Sequence, residues 1–364
     1  MTLPEADMKP SFHRLSATAM AAGVLLTAAC SVGPAGSAAP PASGSGTAAQ
    51  AAPVTGPDSV AKVDESKPLA IAFFGFARAN SFAQATWTGI ESYAKEHNAT
   101  AEFFDPNFDG QKQTSQIQDA VTSGRFKVFI VQANDGTAVI PPIEQALAAG
   151  ITVVVEFTPV GTRYDTKDPQ VPGTITLVDV PTENGKLLGA LGVEACKKAA
   201  ANPCKVAYLE GFKTLPLDNA RTRAVVDTLK AGGAQVVASV EGGYTNESGR
   251  KAMQDVLQSH PDVNVVIGSS QAIAGAQSAA GAASKILFVG NGGSRQAVKA
   301  VQDGRWFGTV CAPERTAGAT AAALGLAKAR GGAVPPATGY AALSPVENKC
   351  TADTASKVQG EYDE

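Results

Sequence analysis

The fold is decided by residues 68–82, which read Pro-Leu-Ala-Ile-Ala-Phe-Phe-Gly-Phe-Ala-Arg-Ala-Asn-Ser-Phe. The run Leu69–Phe76 is apolar almost throughout rather than alternating, which is typical of a strand buried on both faces of a parallel sheet. From Phe82 onward, apolar and small side chains recur at three- and four-residue steps, which predicts an amphipathic helix. Ser81 and Gln84 form a capping-box pattern at its start. This stretch therefore predicts a strand, a short loop and a helix.

The same unit recurs along the rest of the chain. Alternating strands and helices with short connections imply parallel sheets covered by helices on both faces. The series is too long for one comfortable sheet, and it restarts after Pro172-Gly173. The predicted fold class is therefore α/β, with two doubly wound parallel-sheet lobes, and one large α/β domain is the alternative. Further buried strands are predicted at Val128–Gln132, Ile151–Phe157, Val206–Leu209, Val263–Gly268 and Ile286–Gly290.

Ligands of such sheets bind beyond the carboxyl ends of the strands. This rule selects a short set of loops, and all of them converge on one cleft if the two lobes face each other. The selected loops are Phe76–Phe82, Gln132–Gly136, Glu156–Thr158, Gly211–Arg223, Gly243–Asn246, Ser269–Gln271 and Asn291–Ser294.

The first residues of the chain have the pattern of an export signal. Basic residues precede the apolar stretch Ala17–Ala29, which is too short to span a bilayer. The stretch ends at Cys30 in a pattern that resembles the lipobox of bacterial lipoproteins, although Leu26 lies one place further back than usual. We therefore predict a lipoprotein signal peptide at 1–29 and a lipidated Cys30 that anchors the protein to the membrane from outside the cytoplasm. An ordinary cleaved signal peptide with an incidental cysteine is the alternative.

Residues 30–66 are rich in Ala, Gly, Ser, Pro and Thr, with no apolar period. Such a composition cannot bury enough surface to offset its chain entropy, so it predicts a flexible linker.

The chain has five cysteines, an odd number that leaves one unpaired in an exported protein. If Cys30 carries lipid, four remain, and these suit disulfides in an oxidising compartment. Three pairings are possible. The proximity of Cys196 to Cys204 favours bridges Cys196–Cys204 and Cys311–Cys350, and no cysteine or histidine spacing indicates zinc.

Composition excludes several classes of function. The net charge of −3, with acids and bases interspersed, offers no basic face for nucleic acid. The three histidines lie in the leader or at helix ends away from the predicted cleft. The sequence has no nucleophile elbow, metal-spaced histidine pair or carboxylate dyad. We therefore expect no enzyme activity, no metal and no cofactor.

Several loop motifs carry a family resemblance. Ala79-Asn80-Ser81-Phe82, after the first strand, resembles the Asn-Pro-Phe loop of type I periplasmic sugar-binding proteins, the ribose-binding group in particular. Gln132-Ala133-Asn134-Asp135, Arg221-Thr222-Arg223 and Gln302-Asp303-Gly304-Arg305 resemble further motifs of that family in the same order. The resemblance covers nearly the whole domain that follows the linker.

The resemblance implies two lobes joined by three crossings that close over a small solute. The N-terminal lobe is expected at 67–178 plus 312–331, and the C-terminal lobe at 179–311 plus 332–364. The expected partners are the solute and an ABC permease with its ATPase, the protein itself being a monomer. A sensor that presents its ligand to a membrane receptor kinase is the alternative.

The pocket departs from the family pattern. Ribose-type proteins carry an Asp-Arg pair where this chain has Glu156-Phe157, and a hinge glutamine where it has Ala312. Because buried polar groups must be paired, we expect a solute less polar than a pentose, with a carboxylate for Arg221 as one option. The predicted ligand-binding residues are Phe76, Asn80, Phe82, Asn134, Asp135, Glu156, Phe157, Arg221, Tyr244, Gln271 and Asn291.

Overall fold

The computed structural model describes residues 53–364, so the predicted signal peptide, Cys30 and the first part of the predicted linker lie outside the described residues. Strands and helices alternate along the described part of the chain. In chain order they are β1 (Leu69–Phe74), α1 (Ser81–Glu96), β2 (Ala99–Phe104), α2 (Gly110–Ser123), β3 (Val128–Val131), α3 (Ile140–Ala148), β4 (Thr152–Phe157), β5 (Ile175–Val178), α4 (Pro181–Ala199), β6 (Lys205–Glu210), α5 (Pro216–Ala231), β7 (Gln235–Glu241), α6 (Asn246–Ser259), β8 (Val265–Ser269), α7 (Ser270–Ala280), β9 (Leu287–Asn291), α8 (Arg295–Gln302), β10 (Gly308–Val310), α9 (Glu314–Ala329), β11 (Ala337–Gly339) and β12 (Lys349–Thr351).

The strands form two six-stranded sheets. The first has the order β11-β5-β4-β3-β1-β2 and is parallel throughout. The second has the order β12-β10-β9-β8-β6-β7 and is parallel except for β12, which runs antiparallel to β10. The central strands are buried on both faces because helices cover both sides of each sheet. The predicted fold class, two doubly wound α/β lobes, is confirmed.

Close helix packing depends on glycine at the contact between α1 and α9. A Cβ added to Gly318 would lie 2.0 Å from the carbonyl oxygen of Thr86, and one added to Gly89 would lie 2.0 Å from that of Arg315. No methyl group fits at such distances without a shift of one helix. The small side chains therefore let α9 pack directly against α1 on one face of the first sheet.

The expected lobe boundary near the C-terminus is wrong. Residues 332–364 are expected in the second lobe, but β11 pairs in parallel with β5 of the first sheet. The chain enters the second sheet only at β12, which pairs with β10. The strand was missed because Ala337-Thr338-Gly339 is short and carries no apolar run.

The end of the predicted linker is ordered, contrary to the sequence expectation. Val54 is buried in the apolar core of the first lobe, and a 3-10 helix follows at Pro57–Ser59. The Glu65 side chain lies 2.8 Å from Nδ1 of His97. Val54, Val60 and the Glu65–His97 contact therefore hold residues 54–66 against the first lobe, although the composition of this segment resembles that of a flexible chain.

Both predicted disulfides are present. Cys196 bonds Cys204 with a Cα–Cα distance of 5.6 Å, and Cys311 bonds Cys350 at 5.9 Å. The second bridge ties the end of β10 to β12. Within residues 53–364, no helix is long and apolar enough to cross a membrane.

Candidate functional site

A cavity lies between the carboxyl ends of the two sheets. The empty space among its lining residues, including space open to solvent, is about 600 Å³. Six of the seven loops selected from the sequence supply a lining residue. Gln132–Gly136 supplies none. The convergence follows from topology, because the carboxyl ends of parallel strands meet at one edge of each sheet and the two edges face each other.

The first lobe contributes an aromatic wall. The ring centroids of Phe82 and Phe157 are 4.5 Å apart, and Phe76 packs edge-on to Phe157 at 5.9 Å. Phe108 stacks on Phe76 at 6.4 Å. Phe157 has a φ of 63°, a left-handed conformation that costs a residue with a Cβ of order 1 kcal/mol. Such strain at the end of β4 is typical of a binding position, because it places the ring in the cavity.

Asn80 fixes the start of helix α1 beside this wall. Its side chain accepts a hydrogen bond from the backbone N–H of Ala83 at 3.0 Å, so Asn80 is the N-cap. The predicted capping box on Ser81 and Gln84 is therefore wrong. The Gln84 amide instead donates to the carbonyl of Arg78 at 2.7 Å.

The second lobe contributes a buried polar group to the opposite wall. Arg221 on α5 donates to Oδ1 of Asp218 at 2.8 Å, and both side chains are buried. The hydroxyl of Tyr244 donates to the same Oδ1 at 2.5 Å. Asp218 thus compensates the charge of Arg221, and the three side chains hold one another in place. The Nε atom of Arg221 is buried and has no hydrogen-bond partner within residues 53–364.

Besides Asp218, three carboxyl groups lie in or near the cavity. Asp179 and Glu314 line it, and Glu156 is fully buried next to the lining residue Phe157 on β4. Burial raises the pKa of Glu156 to about 7, although the hydrogen bond from the Tyr340 hydroxyl opposes the rise. Burial likewise raises the pKa of Asp179 to about 6, against the attraction of Arg221. For Glu314, burial and then the nearby Glu156 and Asp179 raise the pKa well above its ordinary value.

One hydrogen bond and one aromatic contact join the two lobes across the cavity. The Gln271 amide at the start of α7 donates to Oγ of Ser81 on α1 at 3.1 Å. Phe108 of the first lobe packs edge-on against Phe212 of the second at 5.2 Å. The two walls of the cleft are therefore in contact with each other.

The structure brings together eight of the eleven predicted ligand-binding residues. The residues that line the cavity are Phe76, Asn80, Phe82, Phe157, Arg221, Tyr244, Gln271 and Asn291.

The other three predicted residues have structural positions outside the cavity lining. Asn134 is buried, and its backbone N–H donates to the side chain of Gln113 at 2.8 Å. Asp135 accepts hydrogen bonds from Thr137 and Ala138 in the turn before α3, and these lower its pKa although burial opposes them. Glu156 is fully buried and accepts a hydrogen bond from the Tyr340 hydroxyl.

Several lining residues were missed by the sequence analysis. Asp179 directly follows β5, and Phe108 lies in the loop between β2 and α2. The strand-end rule selects both positions once these two strands are known, but the loops after them were not among those selected from the sequence. Glu314 lies at a crossing between the lobes, and Tyr362 in the segment after the last strand, where the strand-end rule selects nothing. The further lining residues are Leu215, Leu217, Gly292, Val310 and Ala312.

A family model described as a periplasmic binding protein domain matches residues 71–333 of the chain. The chain belongs to the periplasmic binding protein family. Two curated relatives are the D-ribose/D-allose-binding protein of Pseudomonas aeruginosa and the ribose import binding protein of Bacillus subtilis. The first is 28% identical over 241 residues, 64% of this chain and 73% of that protein. The second is 26% identical over 233 residues, 64% of this chain and 72% of that protein.

Solved structures show the same fold. An ABC transporter solute-binding protein of Bacillus halodurans with bound myo-inositol has a TM-score of 0.68 at 18% identity, covering 82% of this chain and 99% of that one. A Mycobacterium smegmatis protein in complex with β-D-fucofuranose has a TM-score of 0.64 at 25% identity, covering 74% and 88%. The type I periplasmic binding protein fold predicted from the loop motifs is thereby confirmed. Within the described residues, no group of three or more metal-ligating side chains is placed to hold a metal ion.

Proposed function

We propose that this protein is an extracytoplasmic solute-binding protein of an ABC importer. It captures a small sugar or sugar-like polyol between its lobes and delivers it to the permease and its ATPase. The relatives support this proposal, because they are named as ribose- and allose-binding proteins. The function is binding rather than catalysis.

The observation that carries the proposal is the composition of the cavity walls. Aromatic rings of the first lobe face polar side chains of the second, so a solute with one apolar face and several hydroxyls contacts both lobes at once. A ligand that binds both lobes favours the closed state by its extra contacts there. We propose that the eight predicted residues in the lining, together with Phe108, contact the solute. Asn134, Asp135 and Glu156 support the walls.

The state of Arg221 changes the expected ligand class. A carboxylated solute is expected only if the guanidinium group of Arg221 is free to pair with it. Asp218 already occupies that role at 2.8 Å, and two further carboxyl groups line the cavity. A second carboxylate would meet repulsion there, so a neutral or positively charged solute fits better.

We further propose that the chain is exported and anchored through lipid on Cys30, as a monomer. The two disulfides support export, since such bridges persist in oxidising compartments. A Cys30→Ser variant expressed in the native host should move from the membrane to the soluble fraction. Retention in the membrane would count against the lipid anchor.

The function is tested by identifying the compound that copurifies with the recombinant domain. The protein is denatured, and the released small molecules are compared by mass spectrometry with those from a Phe157→Ala variant. We expect a sugar-like compound that is depleted in the variant. Calorimetry with ribose, allose and myo-inositol on refolded protein gives a second measurement. Absence of any cleft-dependent compound, together with no binding in calorimetry, would contradict the proposal.

A further inference from the structure

Glu314 is the feature of the cavity that a neutral sugar explains least. It is the first residue of α9, it is 1% exposed, and it lines the cavity. No side-chain hydrogen bond or ion pair reaches its carboxyl group from the residues that the structure describes, and its Oε2 is buried without a partner. A buried carboxyl group without partners is costly. Because Glu314 lines the cavity, an occupant of the cavity can supply the missing partner.

The charges around Glu314 favour a cation. Asp179 lines the same cavity, and its described side-chain partner is the Asn184 amide, which donates to Oδ2 at 2.6 Å. Arg221 is the single cationic side chain among the described lining residues, and Asp218 compensates it. The cavity thus has two lining carboxyl groups and no uncompensated positive charge.

The aromatic wall suits the same ligand. Phe82 and Phe157 lie in van der Waals contact on one side of the cavity, and ring faces attract cations as well as the C–H faces of sugars. A solute with an ammonium group and a hydroxylated skeleton therefore has a counterpart for each of its parts.

We propose that the solute is an amine-bearing sugar or polyol, and that its ammonium group binds on the side of the cavity lined by Glu314 and Asp179. This inference rests on the proposed function, because it assigns the substrate class of the same cleft. The hydroxyls of a neutral sugar can donate hydrogen bonds to these carboxyl groups, but they supply no positive charge to stabilise the ionised form of either group. An ammonium donates and neutralises together, and charge-assisted hydrogen bonds are about twice as strong as neutral ones.

The test compares matched compounds in calorimetry on refolded wild-type domain. D-glucosamine, D-galactosamine and D-mannosamine are each paired with the parent hexose and with the N-acetylated amine, at about pH 6.5, where an ammonium group is charged. We expect at least one amine to bind ten or more times more tightly than both of its neutral counterparts. A neutral compound that binds as tightly as its amine, or a panel in which no amine exceeds its counterparts, overturns the inference.

Variants assign the preference to the two acids. In Glu314→Gln, the ratio of amine to neutral affinity should fall about tenfold or more, and Asp179→Asn should lower it in the same direction. Glu91→Gln, an exposed acid on α1, is the matched control and should leave the ratio unchanged. Circular dichroism confirms that each variant is folded. A ratio that survives in both Glu314→Gln and Asp179→Asn contradicts the assignment.

The two proposals fail in different ways. If neutral sugars bind and Phe157→Ala abolishes their binding, the cleft is a solute site and only the amine inference is wrong. If neither class binds and no cleft-dependent compound copurifies, both are wrong.

Discussion

Replacing Glu156 by Gln should remove a large part of the pH dependence of stability. Glu156 lies on β4 with no exposed surface, and burial raises its pKa from the ordinary 4.5 to about 7. Below about pH 4.5 the carboxyl is protonated in both the folded and the unfolded chain, so it adds no pH dependence to the free energy of unfolding. As the pH rises through 4.5 to 7, the unfolded chain loses this proton first. The free energy of unfolding therefore falls as the pH rises.

The size of the effect follows from the same two values. One pKa unit corresponds to about 1.4 kcal/mol, so the fall in the free energy of unfolding attributable to Glu156 is on the order of 3 kcal/mol above pH 7. Glu156→Gln keeps the shape of the protonated acid and cannot titrate. The variant should match the wild type near pH 4.5 and exceed its stability at pH above 7.

Urea unfolding from about pH 4.5 to 8, followed by the fluorescence of the buried Trp87 and Trp306, measures this difference. Asp179 and Glu314 also have raised pKa values in the folded protein, so Glu156 accounts for only part of the change in the free energy of unfolding with pH. The difference between wild type and Glu156→Gln isolates the part due to Glu156. Glu91→Gln, with an exposed side chain, controls for the loss of one acid. Parallel pH profiles of wild type and Glu156→Gln would refute the reasoning.

Three further predictions concern binding and packing. Phe82→Ala should weaken solute binding at least tenfold in calorimetry because it removes part of the aromatic wall, and unchanged affinity would contradict that role. Gly318→Ala should lower the free energy of unfolding by about 1–3 kcal/mol, because its Cβ would lie 2.0 Å from a carbonyl oxygen of α1; wild-type stability would show that the helices move apart freely. Removing Cys311–Cys350 by double alanine substitution should lower the free energy of unfolding by about 4 kcal/mol. The loss should exceed that from removing Cys196–Cys204, because the first bridge closes a loop of 39 residues and the second a loop of 8. The reverse order would contradict the loop-entropy argument.

The Phe82 and Gly318 predictions each have a matched control. Phe104→Ala, on the far side of the first sheet, should lower stability and leave solute affinity unchanged. Gly331→Ala meets no neighbouring atom within 4 Å, so any loss there comes from its φ of 88° rather than from a clash.

The parallel sheets could be predicted because their strands are buried on both faces. Such strands read as apolar runs, and Ile71–Phe74 is one in which every residue is buried. β10, β11 and β12 were missed because each has only three residues. β11 and β12 are edge strands in which only the middle residue is buried, and β10 is fully buried but its residues Gly308-Thr309-Val310 form no apolar run. Local pattern specifies central strands, whereas short edge strands depend on neighbours distant in sequence.

The site could be predicted in outline because topology decides which loops meet. The strand-end rule placed Phe157, Tyr244 and Gln271 in one cavity without any structure. It could not reveal that Asp218 compensates Arg221, since that pairing depends on how α5 packs. Nor could it find Glu314, which reaches the cavity only because α9 begins at a crossing between the lobes.

Closure of the two lobes over a solute can be measured as a distance across the cleft. Spin labels at Lys112 of the first lobe and Lys213 of the second are introduced as unnatural amino acids, which leaves the disulfides intact. Double electron–electron resonance then measures the distance between the two labels. A second pair, Lys95 and Lys112, lies within the first lobe. We expect that a solute shown to bind by calorimetry shortens the mean distance across the cleft, narrows its distribution and leaves the control distance unchanged. Identical distributions across the cleft with and without bound solute would contradict it.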